Sequence, residues 1–200
     1  MKILTQKQLL LNAQSQFDAL KQRIATYSRQ GERIDRVERS IFSDLLAIGL
    51  TLLRAFAAGA GTGDEGEEVS RGGGTLYRSE ELRRKLYRSI FGSFPIFRWV
   101  YARGAKKKIE YAPTDQRLGL PHGEYSYVME DWQQRLCVNE TFAEGVEGLS
   151  AILGVKVSVE TAEQMNLRMA ESAEPFRIQQ SAPPAPAEET ILVATADGTS

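Results

Sequence analysis

A long apolar stripe in the N-terminal third of the chain restricts the fold more than any other feature. From Ile34 to Phe56, apolar residues recur at steps of 3, 4, 4, 3, 4 and 4 residues. This eleven-residue period, about 3.67 residues per turn, predicts one nearly straight helix rather than a left-handed coiled coil. A shorter helical pattern precedes it and stops at Gly31. We expect an antiparallel helical hairpin in which the stripe packs within the chain. Pairing of the stripe with a second copy is the alternative.

From Leu86 the apolar period changes to two, which is typical of β-strands. Two runs of aromatic and β-branched residues flank Gly92-Ser93, a pattern that predicts a β-hairpin with its turn at that pair. A third strand over residues 107–111 would complete a small antiparallel meander. The Gly-rich stretch 59–75 carries several acids and no Gly-Lys-Ser/Thr motif. We therefore interpret it as a flexible linker rather than a phosphate-binding loop.

Three further helical patterns follow Pro121. Gly154 ends the second, and Ser158 is the expected N-cap of the third. The turn of about four residues between them resembles a helix-turn-helix, whose last helix would enter a major groove. With Ala162, Met165 and Met169 inward, the outward side chains are Glu160, Gln164, Leu167, Arg168 and Glu171. Gln164 can pair with adenine, and Arg168 with guanine or a phosphate. A three-helix core without any nucleic-acid role is the alternative.

Charge is segregated along the chain although the formal net charge is only -1. Residues 76–112 carry ten Lys/Arg and three Asp/Glu, and residues 113–174 carry four and eleven. The basic segment predicts either phosphate contacts or pairing with the acidic segment that follows. Cations interleaved with Tyr87, Trp99 and Tyr101 suit backbone tracking and base stacking. The candidate nucleic-acid contacts of this segment are Arg83, Arg84, Lys85, Arg88, Arg103, Lys106, Lys107 and Lys108.

The last residues predict a strand that delivers a carboxylate to its end. An apolar run ends at Asp197-Gly198, after a Pro/Ala-rich stretch. Asp197 is a candidate catalytic and metal-binding residue only with further carboxylates, because one carboxylate cannot hold two metal ions. The single Cys137 and single His122 exclude an internal disulfide and a Cys/His zinc site. The apolar window 45–56 is short for a bilayer, so we expect no membrane partner.

Six stretches, in order, resemble the N-terminal half of a bacterial insertion-sequence transposase of the Kra-type family. They are LRAFAAGAG (53–61), RLGLP (117–121), GEYSY (123–127), DWQQRLC (131–137), TAEQMN (161–166) and LVATADG (192–198). The resemblance implies a DNA-binding front half joined to an RNase-H-like domain, in which three carboxylates bind Mg²⁺. Asp197 stands where the first carboxylate is expected. The family pattern continues Asp-Gly-Lys-Gly, whereas Thr199 and Ser200 follow here.

Together these patterns predict an α+β chain: a helical hairpin, a small antiparallel meander, a helix-turn-helix-like bundle and a terminal stub strand. The expected segments are a helical segment 1–58, a linker 59–75, a basic meander and loop 76–121, a bundle 122–175, a Pro/Ala linker 176–189 and a catalytic-domain strand 190–200. We expect recognition of double-stranded DNA at the element's terminal repeats, self-association through the 34–56 helix, a cytoplasmic, nucleoid-associated location, and no cofactor or activity for this chain alone. A stand-alone regulator or inhibitor of an intact transposase is the alternative.

Overall fold

In the described part of the chain, two helices precede a run of short antiparallel strands and further helices follow it, so the predicted mixed α+β class is confirmed. The computed structural model describes residues 4–104, 107–171 and 173–179. The helices are α1 Gln6–Gln30, α2 Ile34–Gly59, α3 Pro113–Leu118, α4 Tyr127–Cys137, α5 Phe142–Leu153, α6 Val159–Ala170 and α7 Ala173–Gln179. The strands are β1 Glu68–Arg71, β2 Gly74–Arg78, β3 Arg83–Ser89, β4 Gly92–Arg98 and β5 Tyr101–Ala102. Helix α7 enters the stretch predicted as a Pro/Ala linker, and the predicted strand 190–200 lies outside the described residues.

Helices α1 and α2 lie side by side in opposite directions. Thr5 begins α1 with a capping box in which its side chain and that of Gln8 bond reciprocally to backbone N–H groups. Gly31 ends α1 in the left-handed conformation at φ 65°, where glycine has no steric penalty. Across the pair, Arg23 Nη1 donates to Asp44 Oδ2 at 2.7 Å. The turn is therefore short and the two helices run antiparallel.

The apolar stripe of α2 does not coincide with the face that α2 buries. Thr51 and Ala55 are the buried residues of this helix. Leu45, Leu52 and Phe56 belong to the predicted stripe, yet they are 49%, 46% and 65% exposed. The expectation that the whole stripe packs within the chain was therefore wrong for this part of it. The buried face of α2 is therefore rotated away from the stripe and carries smaller side chains.

The Gly-rich stretch predicted to be a linker contains a β-hairpin. Strands β1 and β2 pair antiparallel from Glu68↔Tyr77 to Arg71↔Gly74. Gly72 and Gly73 make the two-residue turn with φ of 59° and 73°. Two consecutive positive φ angles match the twist of a tight hairpin, and only glycine adopts them without strain. The glycines here specify a turn rather than flexibility.

Strands β3 and β4 form the predicted hairpin, but its turn lies at Ile90-Phe91. The register runs from Arg83↔Arg98 to Ser89↔Gly92. After β4 the chain leaves this sheet, since the Trp99 N–H donates to the Thr62 carbonyl at 2.8 Å. Strand β5 then pairs with β2 instead. The meander is therefore two sheets rather than one.

The predicted third strand over residues 107–111 does not form. Only Tyr111 makes an isolated bridge, to Tyr101. The Lys107 N–H donates back to the Gly104 carbonyl at 3.2 Å, which closes a turn. Ile109 remains 47% exposed, so an extended segment here would have no buried side chain to hold it.

Helices α4, α5 and α6 pack around one apolar core. Met129, Leu149, Val157 and Met165 are its buried members, and Ile90 from the β3–β4 turn packs against them. Side chains of Ser126, Thr141 and Ser158 cap the three helices. The next turn residue, Phe91, points toward α2. Its ring lies so close to Gly49 that a Cβ on that glycine would be 2.6 Å away. The β3–β4 turn thus joins the helical hairpin to the bundle.

Helix α2 is also long and apolar enough to cross a bilayer. Over its best 18-residue window the mean hydropathy is 1.7, and 11% of that window is buried. The apolar window 45–56 taken from the sequence therefore covered only part of this apolar helix. Length and composition alone do not distinguish such a helix from the packed helix of a soluble protein.

Candidate nucleic-acid interface

Most of the cations predicted to contact DNA already face a carboxylate. Their ion pairs are Arg83–Glu81 at 3.7 Å, Lys85–Asp115 at 4.0 Å, Arg88–Glu124 at 2.9 Å, Arg103–Glu110 at 3.2 Å and Arg168–Glu130 at 2.7 Å. In three of these pairs at least one of the two side chains is more than half exposed. Such exposed pairs are weak, so the cation can exchange its carboxylate for a phosphate. Contact of these cations with DNA stays a prediction, and the structure gives each a local partner.

The basic and acidic segments of the chain pair with each other at the β3–β4 hairpin. Arg98, which is buried, bonds to Asp115 of α3. Arg88 Nε donates to Glu124 Oε2 at 2.9 Å, beside backbone bonds that add residues 124–126 to the edge of β3. Of the two alternatives for the charge asymmetry, pairing within the chain therefore accounts for part of the basic segment.

Lys85 is held inside this contact rather than displayed on the surface. Its side chain is 13% exposed, and its Nζ donates to the His122 carbonyl at 3.1 Å. Burial lowers the pKa of Lys85 below its ordinary value, and the nearby Asp115 opposes that shift. The ammonium group lines the wall of a cleft.

A second group of cations makes no ion pair with any carboxylate in the described part of the chain. It comprises Arg84, Lys107 and Lys108 from the predicted set, and Arg71 at the end of β1. The side chains of all four are solvent-exposed. Exposed cations of this kind can bind phosphate without first breaking an ion pair. Lys106 lies outside the described residues.

Arg71 and Tyr111 form a stacked pair at the mouth of a cleft. The guanidinium carbon of Arg71 lies 3.8 Å from the centre of the Tyr111 ring. Tyr111 is held in turn by a 2.8 Å hydrogen bond from its hydroxyl to Glu65 Oε1. Burial, followed by this hydrogen bond, raises the pKa of Tyr111, so the ring stays neutral. The stack fixes the guanidinium plane, and Arg71 Nη1 donates to Gln116 Oε1 at 3.3 Å, which leaves the other N–H groups for an anion.

The cleft below this pair has a volume of about 530 Å³. Its wall includes the cations Arg71 and Lys85, the rings of Tyr111 and Tyr127, and the carboxylates Glu110 and Asp115. Tyr127 is 61% exposed, so its ring is accessible. Lys107 and Lys108 immediately precede the rim at Ile109. Cations beside exposed aromatic rings suit contacts with the backbone of a nucleic acid.

The aromatic residues that the sequence singled out are engaged elsewhere. Tyr101 is completely buried, and its hydroxyl donates to the Gly66 carbonyl at 3.1 Å. Tyr87 packs edge-on against Phe94, with ring centroids 5.6 Å apart. Arg78 lies over the ring of Trp99 at 4.5 Å. The accessible rings of the cleft, Tyr111 and Tyr127, were not among them.

Helix α6 presents the side chains expected of it. Ala162 and Met165 are buried, as predicted, whereas Gln164 and Arg168 are exposed. Arg168, however, reaches across to Glu130 of α4, whose side chain is only 12% exposed. The helix also carries Glu160 and Glu163, which repel phosphate. Gln164 is left as the member of the predicted pair that is free for base contact, and the helix-turn-helix role stays a prediction.

The described residues contain no cluster of three or more His, Cys, Asp or Glu side chains that could hold a metal ion. Asp197, the carboxylate that the family resemblance associates with Mg²⁺, lies outside these residues.

Arg71, Tyr111 and Tyr127 were missed because of their sequence context. Arg71 sits in a stretch whose glycines indicated a linker. The alternation Val69, Arg71 and the following Gly-Gly pair was the available signal for a strand that ends in a turn.

Comparison with models of protein families, with curated proteins and with solved structures found no match to this chain.

Proposed function

We propose that this chain is a double-stranded-DNA-binding module, the front portion of a Kra-type insertion-sequence transposase that recognises the ends of its element. The observation that carries the proposal is the Arg71–Tyr111 stack at the mouth of a cleft flanked by the unpaired Lys107 and Lys108. Because six stretches of the chain resemble this family, the proposed DNA target is the terminal repeats of the element. A chemical step would need further carboxylates and Mg²⁺ beside Asp197, so the proposed role here is binding in the cytoplasm at the nucleoid.

The site divides binding between two kinds of contact. Arg71, Lys107 and Lys108 contact phosphates, which supplies affinity but little sequence information. Gln164 on α6 is the candidate for a base contact through a pair of hydrogen bonds to adenine. Affinity and specificity therefore reside in different elements, and substitutions should separate them.

The test is fluorescence anisotropy of labelled DNA duplexes over a range of salt concentrations. The wild-type chain should bind a duplex of the element's terminal repeat more tightly than a scrambled duplex. Each phosphate contact contributes about 0.9 to the slope of log K against log salt. Arg71→Ala and the pair Lys107→Ala/Lys108→Ala should each reduce the slope, by about one and about two units.

The matched control is Arg39→Ala. Arg39 is an exposed arginine of α2 that also makes no ion pair with a described carboxylate, and it lies in the helical hairpin, outside the cleft. Its removal should leave the salt slope unchanged. An equal loss from Arg39→Ala and Arg71→Ala would mean that the cleft has no special role, and equal affinity for repeat and scrambled DNA would contradict end recognition.

One observation favours a second function, that of a regulator or inhibitor which pairs with an intact transposase. The apolar residues Leu45, Leu52 and Phe56 of α2 are exposed. A surface of this kind is typical of interaction sites. If the chain has no DNA affinity of its own but prevents an intact transposase from binding the element ends, this function is favoured over the first.

A further inference from the structure

The helical hairpin carries a second apolar row on α1, which matches the exposed row on α2. Leu10, Phe17 and Ile24 of α1 are 48%, 46% and 38% exposed. At 100° per residue these three lie within about 40° of one another, and so do Leu45, Leu52 and Phe56 of α2. Each helix therefore carries a ridge of exposed apolar side chains, spaced about two turns apart on α1, beside the face that packs on its neighbour.

Both ridges lie on the same side of the hairpin. On α1 the ridge is offset by about 60° from the direction of Leu9, Ala13 and Leu20, which face α2, and on α2 it is offset by about 100° from Thr51 and Ala55. The offset has the same rotational sense on each helix when each is viewed along its own chain direction. Because the helices are antiparallel, equal senses place the two ridges on one common face.

We propose that this face, the hairpin face, binds a second copy of the chain to form a twofold-symmetric four-helix bundle. The hairpin face is defined by Leu10, Phe17, Ile24, Ile34, Leu45, Leu52 and Phe56. The exposed Glu38 lies on the same face, between Ile34 and Leu45. From Ile34 to Phe56 it is about 33 Å long, and two helices make it about 20 Å wide. That is on the order of 700 Å² per copy in projection, close to the ~800 Å² per partner of a stable interface.

A twofold axis parallel to the hairpin gives every helix antiparallel neighbours. The α1 helix of one copy then lies across α2 of the other, and the same face is buried on both at once, as an isologous interface requires. Nearly straight helices with apolar ridges pack in this way at a shallow angle in four-helix bundles. The eleven-residue period of α2 gives the straight helix that this packing needs along its length.

A lipid surface fits the hairpin face less well than a second copy. Helix α2 also contacts the β3–β4 hairpin, where Phe91 lies against Gly49 at the border of the hairpin face and Leu50 contacts Gly92. Insertion into a bilayer would strip these contacts. Several cations of the hairpin are also paired with carboxylates, as in Lys21–Asp18 and Arg23–Asp44, whereas a membrane-bound helix displays a cationic border.

The experiment measures the mass of the full 200-residue chain in solution by light scattering after size exclusion, at micromolar concentration. The wild type should have twice the mass of one chain. Phe17→Glu and Leu52→Glu should each weaken the dimer at least tenfold, because a charge at a packed apolar interface is left unpaired. Leu52→Ser, which adds no charge, gives the same direction of effect if a folding defect affects the glutamate variants.

The matched control is Leu11→Glu. Leu11 is 61% exposed on α1 but lies on the side opposite to α2, outside the hairpin face. This variant should remain dimeric, and far-UV circular dichroism should be unchanged in all variants.

A monomeric wild type, including one whose face is covered by its own residues 180–200, overturns the proposal. A monomer that floats with phosphatidylglycerol vesicles overturns it in favour of a membrane, and dissociation by Leu11→Glu as strong as by Leu52→Glu overturns the assigned face. Loss of DNA binding does not bear on this result.

Discussion

Arg98 and Asp115 form an ion pair that joins the β3–β4 hairpin to α3, with the guanidinium almost completely buried. Arg98 is 6% exposed; its Nε donates to Asp115 Oδ1, and its Nη1 donates to the Arg83 carbonyl at 3.4 Å. Lys85 Nζ lies 4.0 Å from the other oxygen of the same carboxylate. One carboxylate thus compensates two cations that the fold withdraws from water, and its loss would leave both without an anion.

The first prediction concerns this carboxylate. Asp115→Asn should lower the free energy of unfolding by about 3–5 kcal/mol, because breaking a buried pair leaves an uncompensated charge. Urea unfolding followed by circular dichroism measures the change. Asp131→Asn is the control, since the Asp131–Arg135 pair is exposed and its loss should amount to less than ~1 kcal/mol. Equal effects of the two substitutions would contradict the structural importance of Asp115.

The second prediction separates backbone strain from steric contact in the segment after α2. Gly61 and Gly63 have φ of 73° and 71°, and a Cβ on Gly61 would meet open space. A Cβ on Gly63 would lie 2.7 Å from Thr114 Oγ1 and 2.9 Å from its backbone nitrogen. Gly61→Ala should therefore destabilise the protein by about 1–2 kcal/mol through strain alone. Gly63→Ala should add about 1–3 kcal/mol for the contact.

The same urea experiment measures both glycine variants. Gly31→Ala is a further control, because Gly31 also has a positive φ and open space around it. It should match Gly61→Ala. If Gly63→Ala is no more destabilising than the other two, Thr114 is free to move away, and the segment 59–66 is held less tightly against α3 than its hydrogen bonds indicate.

Local patterns in the sequence were sufficient for the long elements and for the inward face of α6. The step pattern of α2, the break at Gly31 and the cap at Ser158 each involve residues within one helical turn of each other. Ala162 and Met165 are buried as the period requires. The buried face of α6 follows from spacing along the helix itself, whereas on α2 the spacing predicted the helix but not the face that it buries.

Features that depend on distant residues were not predictable in the same way. Arg98 meets an acid 17 residues away, and Arg88 meets one 36 residues away. Nothing in the local sequence distinguishes these cations from Lys107 and Lys108, which make no ion pair among the described residues. The Gly72-Gly73 turn was misread for another reason, because glycine serves both flexible linkers and tight hairpins. The cleft at Arg71 combines both difficulties.

The third prediction tests whether Arg168 is a structural or a DNA-contacting residue. Arg168→Ala removes the partner of Glu130, whose side chain is largely buried, and should lower the free energy of unfolding by about 1–3 kcal/mol. Gln164→Ala, one turn earlier on the exposed face of α6, should change stability by less than about 0.5 kcal/mol. In the anisotropy assay the ranking should reverse, with Gln164→Ala reducing the preference for repeat DNA. Loss of preference in folded Arg168→Ala at low temperature would instead assign base readout to the arginine.

The fourth prediction concerns the capping box of α5 and its dependence on pH. The carboxylate of Glu144 accepts hydrogen bonds from the Thr141 backbone N–H at 2.9 Å and from the Thr141 hydroxyl at 2.8 Å. The backbone bond, followed by the hydroxyl bond, lowers the pKa of Glu144 below its usual 4.5. A lowered folded-state pKa gives stability that is complete above pH 4.5 and is lost as the pH falls through the folded value.

Glu144→Gln keeps an acceptor, as Gln8 does in the capping box of α1, but cannot titrate. Its melting temperature should therefore lie below that of the wild type near neutral pH, and the gap should close as the pH drops below 4.5. Thermal unfolding from about pH 6 to about pH 3 measures the gap. Glu147→Gln, at an exposed site of the same helix, should follow the wild-type profile, and a gap that closes equally for it would attribute the effect to net charge rather than to the capping box.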